Sequence, residues 1–248
     1  KIRSNRPKPV RELKLMAGIG SFDKRTMSLV FNQPLLDGVN LRIGTSKHTD
    51  RGFIFNSYIN DYSNKRDELI SNIQLSISKH FPMGNQFYLL FSSFQSDLDN
   101  NYDRWSYSNF NSMKDLTTHS NFEFLPDNES EDAMISRSNS LEITYKTIDD
   151  TRISAVYSGN DIDLSHYYDA DWSNPSQWSE DHQGDHYDFA QQEQRARSDK
   201  SLEINVSKKF LSNELTVGAF TKTLEEKDSA LGFVFWTNGG WVSSFTSS

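Results

Sequence analysis

The chain has 248 residues, a net charge of −8 and no cysteine. The absence of cysteine excludes a disulfide framework and thiol-based metal or redox chemistry, and the negative balance opposes a phosphate-binding surface, so nucleic acid is not expected as a partner. Apolar residues are only 35% while aromatics reach 13%; disorder loses aromatics, whereas a membrane barrel combines polar lumen and loops with one apolar strand face.

In chain order, residues 1–10 are basic and proline-punctuated and read as a linker. With neither an initiator Met nor an apolar leader at Lys1, the expectation is a fragment or a processed chain. No apolar run approaches the ~18–20 residues of a spanning helix. From residue 11 onward, strict alternation takes over. Leu13, Leu15, Ala17 and Ile19 occupy every second position, as do Val39, Leu41 and Ile43, and Leu69, Ile73, Leu75 and Ile77 recur at the same spacing. Leu141, Ile143 and Tyr145 alternate with Glu142, Thr144 and Lys146, and Leu202, Ile204 and Val206 alternate with Glu203, Asn205 and Ser207. A period of two puts one set on each face of a sheet. Strands are predicted over 11–21, 26–33, 39–49, 67–79, 86–97, 132–147, 151–160, 199–209, 213–224 and 231–246.

Connections alternate in length. Those at 33–38, 80–85, 148–151 and 210–213 are short; the polar stretches 49–66, 97–131 and 160–198 are long. In an antiparallel barrel every second connection lies on the same side, so short turns facing the periplasm and long loops facing outward form the outer-membrane pattern. The first hairpin, 22–25, breaks it: its position makes it external, yet it is short. The competing soluble reading, a sandwich or solenoid, requires unstructured loops uncommon in compact domains, and no fixed-period repeat supports a solenoid. The expected fold is all-β, an antiparallel up-and-down transmembrane barrel.

Three groups of residues invite a chemical reading. Asp97, Asp99, Asn101 and Asp103 are spaced by two like calcium ligands, but the glycine and glutamate of a calcium loop are replaced by Tyr102 and Ser108. His166, Asp169, Asp171, His182, Asp185 and His186 crowd the third long loop without a metal motif. His166 paired with Asp163 or Asp169 would suit the Asp/His site of a ten-stranded outer-membrane protease. The loops are also rich in aromatics. Tyr102, Trp105, Tyr107, Phe110, Tyr167, Tyr168, Trp172, Trp178, Tyr187 and Phe189 suit an interfacial girdle or loop packing, and some of them an organic ligand. Arg104, Arg195 or Arg197 would add charge for an anionic chelate. The expected ligand-binding set is Tyr102, Arg104, Trp105, Tyr107, Tyr167, Tyr168, Trp172 and Trp178. No catalytic motif such as GxSxG or a P-loop is present, so an enzyme is not expected.

Several local strings belong together. Residues 64–69 (Asn-Lys-Arg-Asp-Glu-Leu), the Phe81-Pro82 turn and the stretch from Asp97 through Asp99, Asn100, Asn101, Tyr102, Asp103 and Arg104 to Trp105 follow in order. Gly18 to Phe22, Asn32 to Leu35, Asp50 to Phe53 and Arg197 to Ile204 flank them. Taken together they resemble the early barrel of TonB-dependent outer-membrane receptors, from about Lys8 to Phe220. The resemblance implies an N-terminal plug and TonB-binding box, absent here, and a barrel of about 22 strands, of which about ten are visible. Residues 1–10 would follow the plug and 11–248 would form the N-terminal part of the barrel. It implies a bacterial outer-membrane location, with membrane lipid, the TonB complex and a small organic or iron-chelate ligand as partners, and no resident cofactor. The function expected is uptake of a scarce nutrient, foremost a ferric siderophore; the alternative is a small stand-alone barrel: a porin, an adhesin or a protease.

Overall fold

A computed structural model describes residues 5–101, 123–124, 127–128, 130–170, 174, 189–210, 213–235 and 241–242. The first nine long strands run up and down in sequence: β1 (Glu12–Ile19), β2 (Arg25–Leu36), β3 (Val39–Asp50), β6 (Arg66–His80), β7 (Gln86–Asn100), β9 (Glu131–Lys146), β10 (Thr151–Asp169), β11 (Phe189–Phe210) and β12 (Asn213–Phe235). The two-residue β13 (Trp241–Val242) pairs with β12 and completes a ten-stranded antiparallel sheet. Between them, β4 (Ile54–Asn56), β5 (Asp61–Ser63) and β8 (Glu123–Phe124) form a separate small sheet out of two long connections. The large sheet is open: β1 and β13 end its strand order.

Cross-strand partners share a face, so the register fixes which residues line up. One continuous rung runs Ile43, Ile73, Ser93, Asn139, Gly159 and Lys200, and the rung below it Leu41, Leu75, Phe91, Leu141, Tyr157 and Leu202. Two further rungs, through Val39, Ile77, Leu89, Ile143, Ala155 and Ile204 and through Phe87, Tyr145, Ile153 and Val206, complete an apolar belt on one face. The opposite face of the same strands carries Asn40, Gln74, Ser76, Ser92, Ser140 and Glu142.

Burial is inverted relative to a soluble sheet. Among the described residues the buried apolar side chains are Leu90 and Ala190, whereas Asn32, Asn40, Asn56, Gln74, Ser76, Ser96, Asp169 and Asp199 are all buried. Leu15, Ile19, Met27, Ile73, Ile204 and Val217 are exposed, and among the described residues no second sheet or helix lies over them. A sheet curling toward its polar face crowds those side chains and leaves the apolar ones outermost. The two-faced strands expected from alternation are present, and their oily side is uncovered by protein.

The short connections have identifiable causes. In the β2–β3 turn Gly38 has φ 72°, and a Cβ there would lie 2.1 Å from the Ser78 carbonyl oxygen. In the β9–β10 turn the Thr147 amide donates to the Thr151 carbonyl (2.9 Å) and Asp150 takes φ 59°. The β6–β7 connection is one 3-10 turn, Pro82–Gly84. The short first hairpin is explained by its neighbour. The Phe22 ring meets Phe53 (6.0 Å), Asp23 pairs with Arg51 (3.6 Å), and the Arg51 amide donates to the Phe22 carbonyl (3.0 Å). The hairpin docks onto the next connection and needs no length of its own.

Three expectations require correction. Residues 160–169 and 189–198, read as loop, are strand, the outer parts of β10 and β11. They lack an apolar face, which alternation needs in order to be seen, but a paired backbone ladder forms whether or not its side chains are oily. Residues 213–224 and 231–235, read as two strands, belong to the single strand β12. The connection 49–66 is not featureless, because β4 and β5 lie inside it.

Candidate ligand-binding face

The polar face holds a set of hydrogen bonds at two levels. Near the short turns, residues before β1 lie across it. The buried Asn32 side chain accepts from the Lys8 amide (2.9 Å) and donates to the Lys8 and Val10 carbonyls (2.7 and 2.5 Å). Further along, Arg6 pairs with Glu142 of β9 (2.7 Å) and its guanidinium lies 5.1 Å from the ring centre of Tyr88 on β7. The segment thus reaches from β2 past β3 and β6 along the inner wall. Higher up, the Ser138 hydroxyl donates to Asn160 (2.6 Å), the Asn160 amide donates to Asp199 (2.9 Å), and Lys222 approaches Asp199 (3.4 Å). This ladder braces β9 to β12 across the polar face.

The strand ends away from the short turns form the more open site. A cavity of about 600 Å³ lies among β3, β6, β7, β9 and β10, with Asp50, Arg66, Asn100, Asn101, Glu131 and Tyr167 in its wall. Its floor is held by side-chain caps: Asn101 accepts from the Lys65 amide (2.6 Å) and Asn100 from the Asp67 amide (3.0 Å). The small sheet stands beside it, with Phe55 edge-on to Tyr62 (5.3 Å) and Arg51 stacked 4.3 Å above the Tyr62 ring. Lys65 pairs with Asp61 (2.5 Å), and this bond, ahead of the Tyr62 amide, holds the Asp61 carboxyl below its ordinary range.

Of the expected ligand-binding residues, the structure describes two. The Tyr167 ring lines the cavity, and its hydroxyl donates to Asn128 (3.0 Å). Tyr168 faces the polar side, donates to Gln191 (2.7 Å) and packs against His166 (5.2 Å between rings). Burial, and then the Glu193 carboxylate, push the Tyr168 phenol up. Tyr102, Arg104, Trp105, Tyr107, Trp172 and Trp178 lie outside the described residues. Sequence reading gave no sign of Asn32, Asn160 or Asp199, because a buried polar residue on a wet face has the same local pattern as a solvated one.

Other candidates separate. Asp163 and Asp169 are each three residues from His166, an odd step that places them on the opposite face of β10. The pairing suggested for a protease is therefore not formed. His166 instead approaches Asp132 (3.5 Å) and has Glu193 as its other cross-strand neighbour. Asp97 and Asp99 lie in β7, and Asn101 is engaged with Lys65, while Asp103, Asp171, His182, Asp185 and His186 lie outside the described residues. Among the described residues no three His, Asp or Glu side chains converge on a metal position. Arg195 and Arg197 project from the polar face, with Asp228 and Glu226 as their β12 partners.

No known family profile matches the chain, and no curated protein matches it. Among solved structures, the chain is similar to the ferric yersiniabactin uptake receptor FyuA from Yersinia pestis, with a TM-score of 0.68 and 13% identity. The likeness covers 96% of this chain and 34% of that one, so the chain spans about a third of the receptor's length. At this identity the likeness is one of fold: an antiparallel sheet that matches part of that receptor.

Proposed function

We propose that this chain is part of a TonB-dependent outer-membrane receptor that imports a scarce nutrient, foremost a ferric siderophore or similar iron complex. The observation carrying this reading is the inverted burial of a strictly up-and-down sheet, apolar outside and polar inside. A wall of that kind is stable where hydrocarbon meets its outer face and water or another segment fills its lumen. The fold likeness to an iron-chelate receptor supports the same reading. The segment 5–10, running along the inner wall, supports a lumenal element preceding it, as a plug would.

In this reading ligand arrives at the outer strand ends. Tyr167 and Tyr168, with Tyr102, Arg104, Trp105, Tyr107, Trp172 and Trp178 of the long connections, form the contact set, and aromatic faces supply apolar area at small entropic cost. In this reading transport needs no hydrolysis at the barrel, and energy comes from the inner membrane through TonB.

The test is uptake. Cells lacking their own chelate receptors, and expressing the whole gene that contains this chain, are given radiolabelled ferric chelates with and without an uncoupler. Energy-dependent accumulation that requires TonB is expected. Passive, uncoupler-insensitive entry of small solutes would identify a porin and end the receptor reading.

A further inference from the structure

On β9, β10 and β11, counted over strand residues alone, the apolar belt is too short for a membrane. On β9 it comprises Leu141, Ile143 and Tyr145, on β10 Ile153, Ala155 and Tyr157, and on β11 Leu202, Ile204 and Val206. Three alternate positions span five residues, whereas a tilted strand needs about 9–11 to cross hydrocarbon. On these three strands extension toward the outer side is closed off. The next rung on that face holds Asn139, Gly159 and Lys200, and the one after it Arg137, Asp161 and Ser198. The missing length must come from the short turns.

Those turns and the strand ends that enter them carry bulky apolar side chains. Met83 and Ile148 in two turns, and Leu36 and Phe210 at the last positions of β2 and β11, are 80, 72, 73 and 50% exposed. Water is a poor surrounding for four such tips arrayed along one rim. Adding them repairs the span: 148–157 on β10 and 202–210 on β11 now fall within the required length. The charges at this rim have the form of an interface. Lys79 lies 5.3 Å over the Phe81 ring and Lys208 5.7 Å over Phe210, while Phe81 meets Tyr145 edge-on (6.5 Å). An apolar stem with a cationic head beside a ring suits the boundary between acyl chains and phosphates. The carboxylates of the β9–β10 turn are neutralised locally, Asp149 by Lys208 and Asp150 by Lys146 (both 2.8 Å).

We propose that the β2–β3, β6–β7 and β9–β10 turns, with Phe210 at the end of β11, sit within the headgroup layer of the inner phospholipid leaflet, their apolar tips in its upper acyl region, and do not stand in the aqueous periplasm. The partner is the phospholipid monolayer itself, continuous with the belt. The inference rests on reading the sheet as an outer-membrane wall.

The chain has no cysteine, so single Met83→Cys, Ile148→Cys, Ile204→Cys and Tyr58→Cys variants of the intact protein take an environment-sensitive fluorophore at one place in this chain. Each is refolded into phosphatidylethanolamine–phosphatidylglycerol vesicles and quenched by spin-labelled lipids or by aqueous iodide. Labels at Met83 and Ile148 are expected to be quenched severalfold more by shallow lipid labels than the external Tyr58 position, and severalfold less by iodide. Should Ile204 respond to lipid while Met83 and Ile148 match Tyr58, the turns stand in water and the proposal is overturned with the barrel intact. Should Ile204 itself ignore the lipid labels, the membrane wall and the turn proposal fall together.

Discussion

The inner and outer halves of the sheet share one hydrogen-bonded ladder and differ in every other respect. Near the short turns, one face is mostly Leu, Ile, Val and aromatic, edged by Lys79 and Lys208. Beyond Gly159 and Lys200 the same strands continue to Asp169 and Phe189 with charged and small residues on that face. Backbone pairing is indifferent to the change, because each N–H and C=O finds its partner across the strand either way. What changes is the medium the side chains must match. The comparison teaches that strand length and membrane span are separate properties: the ladder is set by pairing, and the belt by what surrounds it.

The comparison breaks most sharply at matched positions on β11. Ile204 and Ala196 share a face, one inside the belt and one above it. Ile204→Lys is expected to cost about 2–4 kcal/mol in lipid and Ala196→Lys about 0–1, read from urea unfolding in vesicles. Equal, near-zero costs would mean that no hydrocarbon touches the belt.

A second contrast uses two glycines. Gly38 and Gly52 both have positive φ, and a Cβ at either would lie within 2.1 Å of a backbone oxygen. Gly38→Ala is expected to destabilise the whole sheet by about 1–3 kcal/mol, because it forces apart the β2–β3 turn and Ser78 of β6. Gly52→Ala should instead loosen the outer connection that carries β4 and β5 and leave global unfolding nearly unchanged. Hydrogen exchange resolved by segment separates the two outcomes.

Within the inner half, Asn32→Ala removes the anchor of residues 8–10, taking from the Lys8 amide and the Lys8 and Val10 carbonyls the part-buried side chain that pairs with them. A loss of about 1–3 kcal/mol is expected, with faster exchange at Lys8. Unaltered exchange there would show that the segment is held by Arg6 instead.

The smallest effect concerns acid. Lys208, then Thr147 and Thr151, hold the Asp149 carboxyl well below its ordinary 3.8. A depressed carboxylate contributes stability above its unfolded pKa and loses it as pH falls through the folded value. Stability of the β9–β10 turn is therefore expected to decline only below the usual carboxylate range, and Asp149→Asn should flatten that decline. The side chain is more than half exposed, so the shift in the acid unfolding midpoint will be slight.

Alternation made the belt legible. Leu141, Ile143 and Tyr145, or Leu202, Ile204 and Val206, declare a two-faced strand because each is oily at every second place and polar between. Short turns were legible from Asp37-Gly38 and Phe81-Pro82. The outer halves of β10 and β11 were not, since Asp161, Asp163, Arg195 and Arg197 give no periodic contrast, and β4, β5 and β8 are too short to show any period. Of the ligand set, residue types in long loops were visible, but only pairing with neighbouring strands places Tyr167 in a cavity wall and Tyr168 on the opposite face. Local pattern thus establishes that the strands have one oily and one wet side, because side-chain direction follows from backbone geometry alone. Which side is crowded, that His166 faces Asp132 and not Asp163 or Asp169, and that Asn32 clasps Lys8 emerge from the folded sheet. Those facts depend on register and curvature between segments far apart in the chain, which no local pattern encodes.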